Sequence, residues 1–520
     1  INPKDVAATG RRSLSQEVRM ATRKTRLITL TILVSAAISG PAYGGTSLSA
    51  PPTKKSARIE RIPTADSGIN GFLAGHLGLR EMKYLGYRIH DGFVQIVIKA
   101  EPGATQVVAD DIAALGARRI SLVRDFVQAE MPLDALATAA AAPNVRWIRK
   151  PIYAARPEPG DLPVTKGLKS DQTTEGLAPM NATTWHDAGH NGSGIKVGII
   201  DLEFGGYQSL IGSALPPASR VHYRGFGWTV AEPALVHGTV CAEIVYDIAP
   251  DAELYLAHVE TGVDVFAAID WLVGNGVEVI SMSLGFAGAG PGDGTGPMHD
   301  AIAQSVEDDD TLWTVSAGNE RKEHWQGRTP DADEDNWIDF DGPTVEINFY
   351  EDGNGNKAWF DVGETVDPFL QWNDWEEVTN DYDLHIFFWD GEAESAELVA
   401  SSEDIQNGGS NQWPREYLSY EVPVAGYYGI AVSKPGATGS HDLEVFGGNS
   451  LGAELARNVD IGSISVPSDS PSVISVAAGN FSSPFATHYY SSMGPNNGPG
   501  GSLSGGSIEP DIMGYAGVST

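Results

Sequence analysis

The run Ile195-Lys196-Val197-Gly198-Ile199-Ile200, almost continuously apolar and ending on Asp201, restricts the fold more than any other part of the chain. A strand with one wet face alternates polar and apolar residues. A strand without that alternation belongs in a parallel sheet with helices on both faces. Residues 254–259, 277–284 and 312–317 read as further buried strands, and residues 265–273 and 298–306 carry apolar side chains at helical spacing between them. The alternation predicts a doubly wound α/β domain over residues 166–330. In such sheets the chemistry gathers beyond the carboxyl ends of the strands, and Asp201, Gly285 and Asn319 all fall there.

The segment His237-Gly238-Thr239-Val240-Cys241-Ala242 reads as a helix that opens on a histidine. A carboxylate at a strand end can hold one ring nitrogen and fix the tautomer, leaving the other nitrogen to act as general base toward a hydroxyl. Asn319 offers an amide donor for a developing oxyanion. Singly, these residues also suit a helix cap, a structural histidine and a turn; their joint order carries the catalytic reading. Cys241 shares the helix face of His237 and reads as a small buried residue whose thiol gives sensitivity to thiol reagents.

With 520 residues the chain has room for several domains. A formal net charge of −34 argues against a phosphate-binding surface built on clustered Lys and Arg, so no nucleic-acid partner is expected. The acidity suits an ordinary exported protein or a salty environment. The single cysteine rules out an internal disulfide framework.

Residues 1–44 read as an upstream extension and a signal peptide: Arg23, Lys24 and Arg26, the apolar run 27–37, then Ala42-Tyr43-Gly44. A membrane anchor is the alternative, but the run is short for a span of about 20 residues. The expected localisation is secreted or periplasmic, with no membrane association after cleavage. Residues 45–165 alternate strand-like (92–98, 129–132, 145–148) and helical (106–115, 133–141) stretches before a linker with Pro157, Pro159 and Pro163. This predicts a small α/β unit, either a pro-segment or an accessory domain that stays attached.

Six segments in one order resemble the subtilisin-like serine peptidases. They are Gly194 to Asp201, His237-Gly238-Thr239, Ser281-Met282-Ser283-Leu284-Gly285, Ser316-Ala317-Gly318-Asn319, Val473 to Ala478, and Ile508-Glu509-Pro510-Asp511-Ile512. The resemblance implies a subtilisin-like doubly wound fold and peptide-bond hydrolysis by a Ser-His-Asp triad. Asp201 would orient, His237 would be the acid/base and Asn319 the oxyanion donor. Ser283, Leu284, Gly285, Ser316, Ala317 and Gly318 would bind substrate. It also implies protein or peptide substrates and a pro-segment that blocks the cleft as an intramolecular inhibitor. No cofactor is required for the chemistry. The chain departs from the pattern at Leu202-Glu203-Phe204, where a Thr-Gly pair is usual, and at Val240, where a second histidine is common.

Residues 331–450 interrupt that domain with strand-like runs at 345–350, 358–362, 384–389, 397–400 and 427–432, punctuated by Gly, Asn and Asp. This predicts an inserted antiparallel β-sandwich. Trp372-Asn373-Asp374, Asp381-Tyr382-Asp383-Leu384 and Gly426-Tyr427-Tyr428-Gly429-Ile430 resemble pre-peptidase C-terminal domains. Asp381 and Asp383, alternating on one strand face, are a candidate site for calcium as a structural ion; a solvated acidic edge is the other reading. Residues 331–335 lack the glycine and spacing of an EF-hand loop and read as a charged junction.

Residues 451–520 return to the catalytic domain without the Gly-Thr-Ser that the resemblance implies for the nucleophile. Ser519 lacks the preceding Gly-Thr. Gly45-Thr46-Ser47 matches in letters, but Pro52 and Lys54-Lys55 follow where a buried helix is needed, so it reads as linker, with circular permutation the alternative. The nucleophile is therefore expected to be absent from these residues. The functional expectation is a secreted serine endopeptidase represented by an inactive fragment; the alternative is a non-catalytic exported binding protein derived from a peptidase.

Overall fold

The computed structural model describes residues 65–155, 173–228, 236–393, 395–409, 412–481 and 485–518. The signal-peptide residues, Gly45-Thr46-Ser47, the Pro157–Pro163 linker and Ser519 lie outside them.

A seven-stranded sheet, parallel throughout, forms the centre. Its strands in chain order are β1 (Lys196–Asp201), β2 (Val221–Gly225), β3 (Glu253–His258), β4 (Val279–Met282), β5 (Leu312–Ser316), β6 (Ile474–Asn480) and β7 (Ile512–Ala516). Their spatial order is β7-β6-β5-β4-β1-β3-β2. β1 pairs with β3 on one side and β4 on the other, which accounts for its unbroken apolar run. Val197 and Ile199 join one apolar cluster with Leu254, Leu256 and Ala242; Ile200 joins another with Ala257, Ile280, Met282 and Ile302. Helix α1 (His237–Ile248) contributes to the first cluster, and α2 (Gly262–Gly274) and α3 (Pro297–Asp309) to the second. β2 has no apolar signature in the sequence: Val-His-Tyr-Arg-Gly is an edge strand with three of its five residues exposed, so it carries no buried run.

Residues 65–155 form their own five-stranded antiparallel sheet, centred on the strand Phe93–Ala100, which pairs with Ile89–His90, Phe126–Pro132 and Val145–Arg149. The helix Thr105–Ala114 buries Val108, Ala109 and Ile112.

Between β5 and β6 the chain builds two antiparallel sheets. One contains His324–Arg328, Thr365–Trp372, Arg415–Tyr417, Tyr420–Glu421 and Asp442–Asn449. The other contains Asn348–Glu351, Trp359–Phe360, Asp383–Trp389, Glu397–Ser402, Gly426–Ser433 and Glu454–Leu455. Leu370, Trp372, Leu443 and Val445 of the first meet Leu384, Ile386, Ile430 and Val432 of the second in one apolar cluster. These sheets begin at His324, ahead of residue 331.

Asp381 and Asp383 do not share a strand: only Asp383 is in one, and that strand is flanked on both sides. Both are buried, so the solvated-edge reading fails. Among the described residues no helix is long and apolar enough to cross a membrane.

Leu256 is fully buried between the sheet and α1. Replacement by Ala is expected to cost about 2–5 kcal/mol through lost burial and a residual cavity. Thermal unfolding of Leu256→Ala against the parent checks this.

Candidate active site

The site forms where β1 ends against the start of α1. Asp201 closes β1 with 1% of its surface exposed, and its Oδ2 lies 2.8 Å from His237 Nδ1. A carboxylate on Nδ1 fixes the tautomer in which Nε2 is the proton-accepting nitrogen. The second oxygen, Oδ1, accepts the Glu203 N–H at 3.1 Å.

The approach of α1 to β1 needs Gly238. A Cβ there would lie 2.6 Å from Asp201 Cβ and 2.7 Å from the Glu203 carbonyl oxygen. That carbonyl instead accepts the Gly238 N–H at 2.7 Å. Glu203 reaches further: its Oε2 accepts the His237 N–H at 3.4 Å. A buried carboxylate at this point meets an unsatisfied backbone donor and the positive end of the helix dipole. The Leu202-Glu203-Phe204 departure thus introduces a cap for the histidine helix. In the sequence the only mark of this cap is a carboxylate two residues after Asp201.

Cys241 stands one turn after His237. Burial, then the Asp201 charge, pushes its thiol well above the ordinary range, so it stays protonated. The donor atoms of Asp201, His237 and Cys241 lie within 4.8 Å of one another. A soft metal ion bound there would need the thiolate and would occupy the histidine.

The expected substrate-binding residues fall on two rims. On the first, Leu284 turns its side chain into the core, and Gly285 presents its backbone. Ala155 donates to the Gly285 carbonyl at 2.9 Å and accepts from the Gly285 N–H at 3.2 Å. On its other side the same segment is held by Ala154 N–H to Glu260 O at 2.8 Å and Gly262 N–H to Ile152 O at 3.0 Å. Residues 152–155 therefore lie as an extended strand between two backbone edges near the carboxyl ends of β3 and β4. Side chains of the 65–155 unit hold it there. Arg88 pairs with Glu260 at 3.0 Å, and Gln128 bridges Thr261 Oγ1 (2.8 Å) and Asp264 Oδ1 (3.1 Å), the capping pair of α2.

On the second rim Ser316 ends β5, the Ala317 N–H bonds to Val476 O at 2.9 Å, and Ser465 N–H bonds to Ala317 O at 3.0 Å. Gly318 has φ +109°, and a Cβ would collide with the hydroxyls and carboxylate that close this turn. Glu320 accepts from Ser465 Oγ (2.8 Å) and Ser492 Oγ (2.9 Å). Burial raises its carboxyl above the ordinary range while the two hydroxyls oppose that shift. Asn319 and Gly285 line one cavity of about 430 Å³, which Tyr153, Phe369, Arg415 and Phe446 also border.

Asp381 Oδ1 accepts the Gln406 N–H at 3.1 Å. Neither Asp381 nor Asp383 belongs to a group of three ligating side chains within 4.8 Å among the described residues.

A sequence model described as the subtilase family (Peptidase_S8) matches residues 192–364. A probable subtilase-type serine protease of Deinococcus radiodurans is 28% identical over 220 residues, covering 36% of this chain and 29% of the relative. The chain thus matches less than a third of that relative's length. Among solved structures, the CspB protease of Clostridium perfringens is 12% identical with a TM-score of 0.39, over 65% of this chain and 80% of the other. The epidermin leader peptide processing serine protease of Staphylococcus aureus (S393A mutant) is 15% identical with a TM-score of 0.31, over 46% and 62%. The segment that carries Asp201, His237 and Asn319 therefore matches the subtilase family.

Two outcomes follow from this geometry. Gly238→Ala is expected to part α1 from β1 and lower thermal stability, by about 1–3 kcal/mol for forced overpacking, measured by thermal unfolding. Burial also pushes the Asp264 carboxyl up to about 6 from 3.8, against the N–H groups of Glu260 and Thr261. A raised folded pKa means that the folded state holds the proton more tightly. Asp264 therefore favours folding at low pH, and this contribution is lost as pH rises from about 4 to 6. A melting-temperature profile across that window should fall less steeply in Asp264→Asn than in the parent.

Proposed function

We propose that this chain carries the acid/base half and the substrate groove of a secreted serine endopeptidase, with residues 65–155 acting as its intramolecular inhibitor. The observation that carries the reading is the 2.8 Å contact between buried Asp201 and His237, located at the carboxyl end of a central parallel strand. In the proposed reaction, His237 Nε2 takes the proton of a serine hydroxyl as that oxygen attacks the peptide carbonyl. Asp201 stabilises the imidazolium, and Asn319 donates toward the oxyanion. His237 then returns the proton to the leaving amine, and water hydrolyses the acyl-enzyme in a second cycle.

The groove supports the substrate class. Backbone donors and acceptors on Gly285, Glu260 and Gly262 fit an extended peptide, because they recognise main chain. Residues 152–155 fill these positions now, which supports inhibition by occupation. The strands between β5 and β6 read as an inserted sandwich. The chain has no Gly-Thr-Ser after Pro510, which supports reading the hydroxyl that His237 would activate as lying outside the described residues.

The 520-residue chain is expected to leave casein intact. In a protein in which this chain meets such a serine, a serine-directed fluorophosphonate should block casein hydrolysis. Asp201→Asn should lower kcat by about 10⁴-fold and loss of the Asn319 amide by about 10²–10³-fold. Turnover that survives His237→Ala would sink the assignment.

A further inference from the structure

The strand Val145–Arg149 ends at a cavity of about 320 Å³ that the 65–155 unit shares with the antiparallel sheets between β5 and β6. Arg149, Lys150 and Arg415 border it, together with Trp413, Asp66 and Asp404. Arg149 is 6% exposed. Its guanidinium carbon lies 3.7 Å from the Trp147 ring centroid and 4.3 Å from that of Trp413, and the Arg415 guanidinium lies 4.3 Å from Trp413 too. Indole rings attract a guanidinium but leave its in-plane N–H groups without acceptors. Among the described residues no oxygen accepts from the Arg149 guanidinium and no carboxylate pairs with it. Buried donors left in that state are costly unless a ligand meets them. The carboxylates of the cavity are engaged elsewhere. Asp66 Oδ1 accepts from the Ile69 N–H at 2.9 Å and from the Tyr87 hydroxyl, and its Oδ2 accepts the Lys150 N–H at 3.0 Å. The Asp404 charge bears on Lys150 and Arg415. Glu416, behind them, is held protonated by burial and by the charges of Asp404 and Asp383. Three cations thus face two carboxylates. Burial, then the Arg415 charge, brings the Arg149 guanidinium down to about 9, so it is still charged at neutral pH.

We infer that this cavity is a binding site for a small organic anion, whose carboxylate or phosphate oxygens accept from Arg149 and Arg415. A guanidinium presents paired N–H donors in a fixed fork, and carboxylate and phosphate oxygens match that fork two at a time. The rings of Trp147 and Trp413 hold the fork of Arg149 in place without using its donors. Arg415 gives Nη1 to the Gly288 carbonyl at 2.6 Å and keeps further N–H groups. Lys150 gives one N–H to the Leu85 carbonyl and adds the third positive charge. The volume is in the range of small-molecule pockets and larger than a bare inorganic ion fills; Tyr87, Tyr417 and Trp413 supply apolar surface for the rest of the molecule. Arg149 belongs to the 65–155 unit and Arg415 to the strand Arg415–Tyr417 of the first antiparallel sheet, so a bound anion would stabilise the contact between the two. The inference does not rest on the Asp201–His237 reading.

The test uses the full chain dialysed into chloride buffer. Calorimetric titration with succinate and with glycerol phosphate, at constant ionic strength, reads binding, and thermal unfolding reads its coupling to the fold. Saturable heat with at least one probe is expected, with a rise in melting temperature that sodium chloride does not give. Heat with succinate alone assigns the site to carboxylates, and heat with glycerol phosphate alone assigns it to phosphate groups. Arg149→Gln should bind at least about tenfold more weakly while keeping the parent's circular dichroism. Arg415→Gln, at a half-buried position, should weaken binding likewise and serves where Arg149→Gln does not fold. Arg146→Gln, at an exposed position on the same strand as Arg149, should bind like the parent. Absence of saturable heat with both probes at millimolar concentration overturns the site, as does an equal thermal shift with chloride. Undiminished binding in both Arg149→Gln and Arg415→Gln overturns it too, as does loss confined to Arg146→Gln.

Discussion

The contact between Asp201 and His237 is the constraint on which the rest of the site depends. It requires a carboxylate sunk at the end of a strand that has neighbours on both sides, and a helix start that comes close enough to offer Nδ1. The first condition is met by the apolar run 197–200, paired with β3 and β4. The second is met by Gly238, where any side chain would strike Asp201. Glu203 then satisfies a backbone donor of the helix that carries the histidine. The strand, the glycine and the capping carboxylate act on one distance.

The 65–155 unit is bound to the same region through backbone and side chains together. The extended segment 152–155 uses main-chain hydrogen bonds that any peptide offers. Gln128 and Arg88 add contacts that depend on this particular unit. Affinity for the groove and recognition of the α2 cap are thus separate contributions.

Strands with pure apolar runs, and helices with clear periodicity, were legible in the sequence because burial on both faces leaves that mark. Thr365–Trp372 was not, since Asp367 and Pro368 interrupt it; the structure seats Pro368 opposite Gly447, within an antiparallel pair. Asp442–Asn449 was hidden by two glycines. Asp201, His237 and Asn319 stood out through their order along the chain. The role of Glu203 did not, because a cap depends on where a following helix comes to rest.

The chain leaves the central sheet after Asn319 and returns at Ser465. There the Ser465 N–H bonds to Ala317 O at 3.0 Å and its hydroxyl bonds to Glu320 at 2.8 Å. Departure and return are thus hydrogen-bonded neighbours. The loop-closure cost of a segment held at both ends in this way grows only with the logarithm of its length. The site between β5 and β6 therefore behaves as a socket. Modules of quite different size could be exchanged there without disturbing the parallel strands, each bringing its own wall to the cavity beside Asn319.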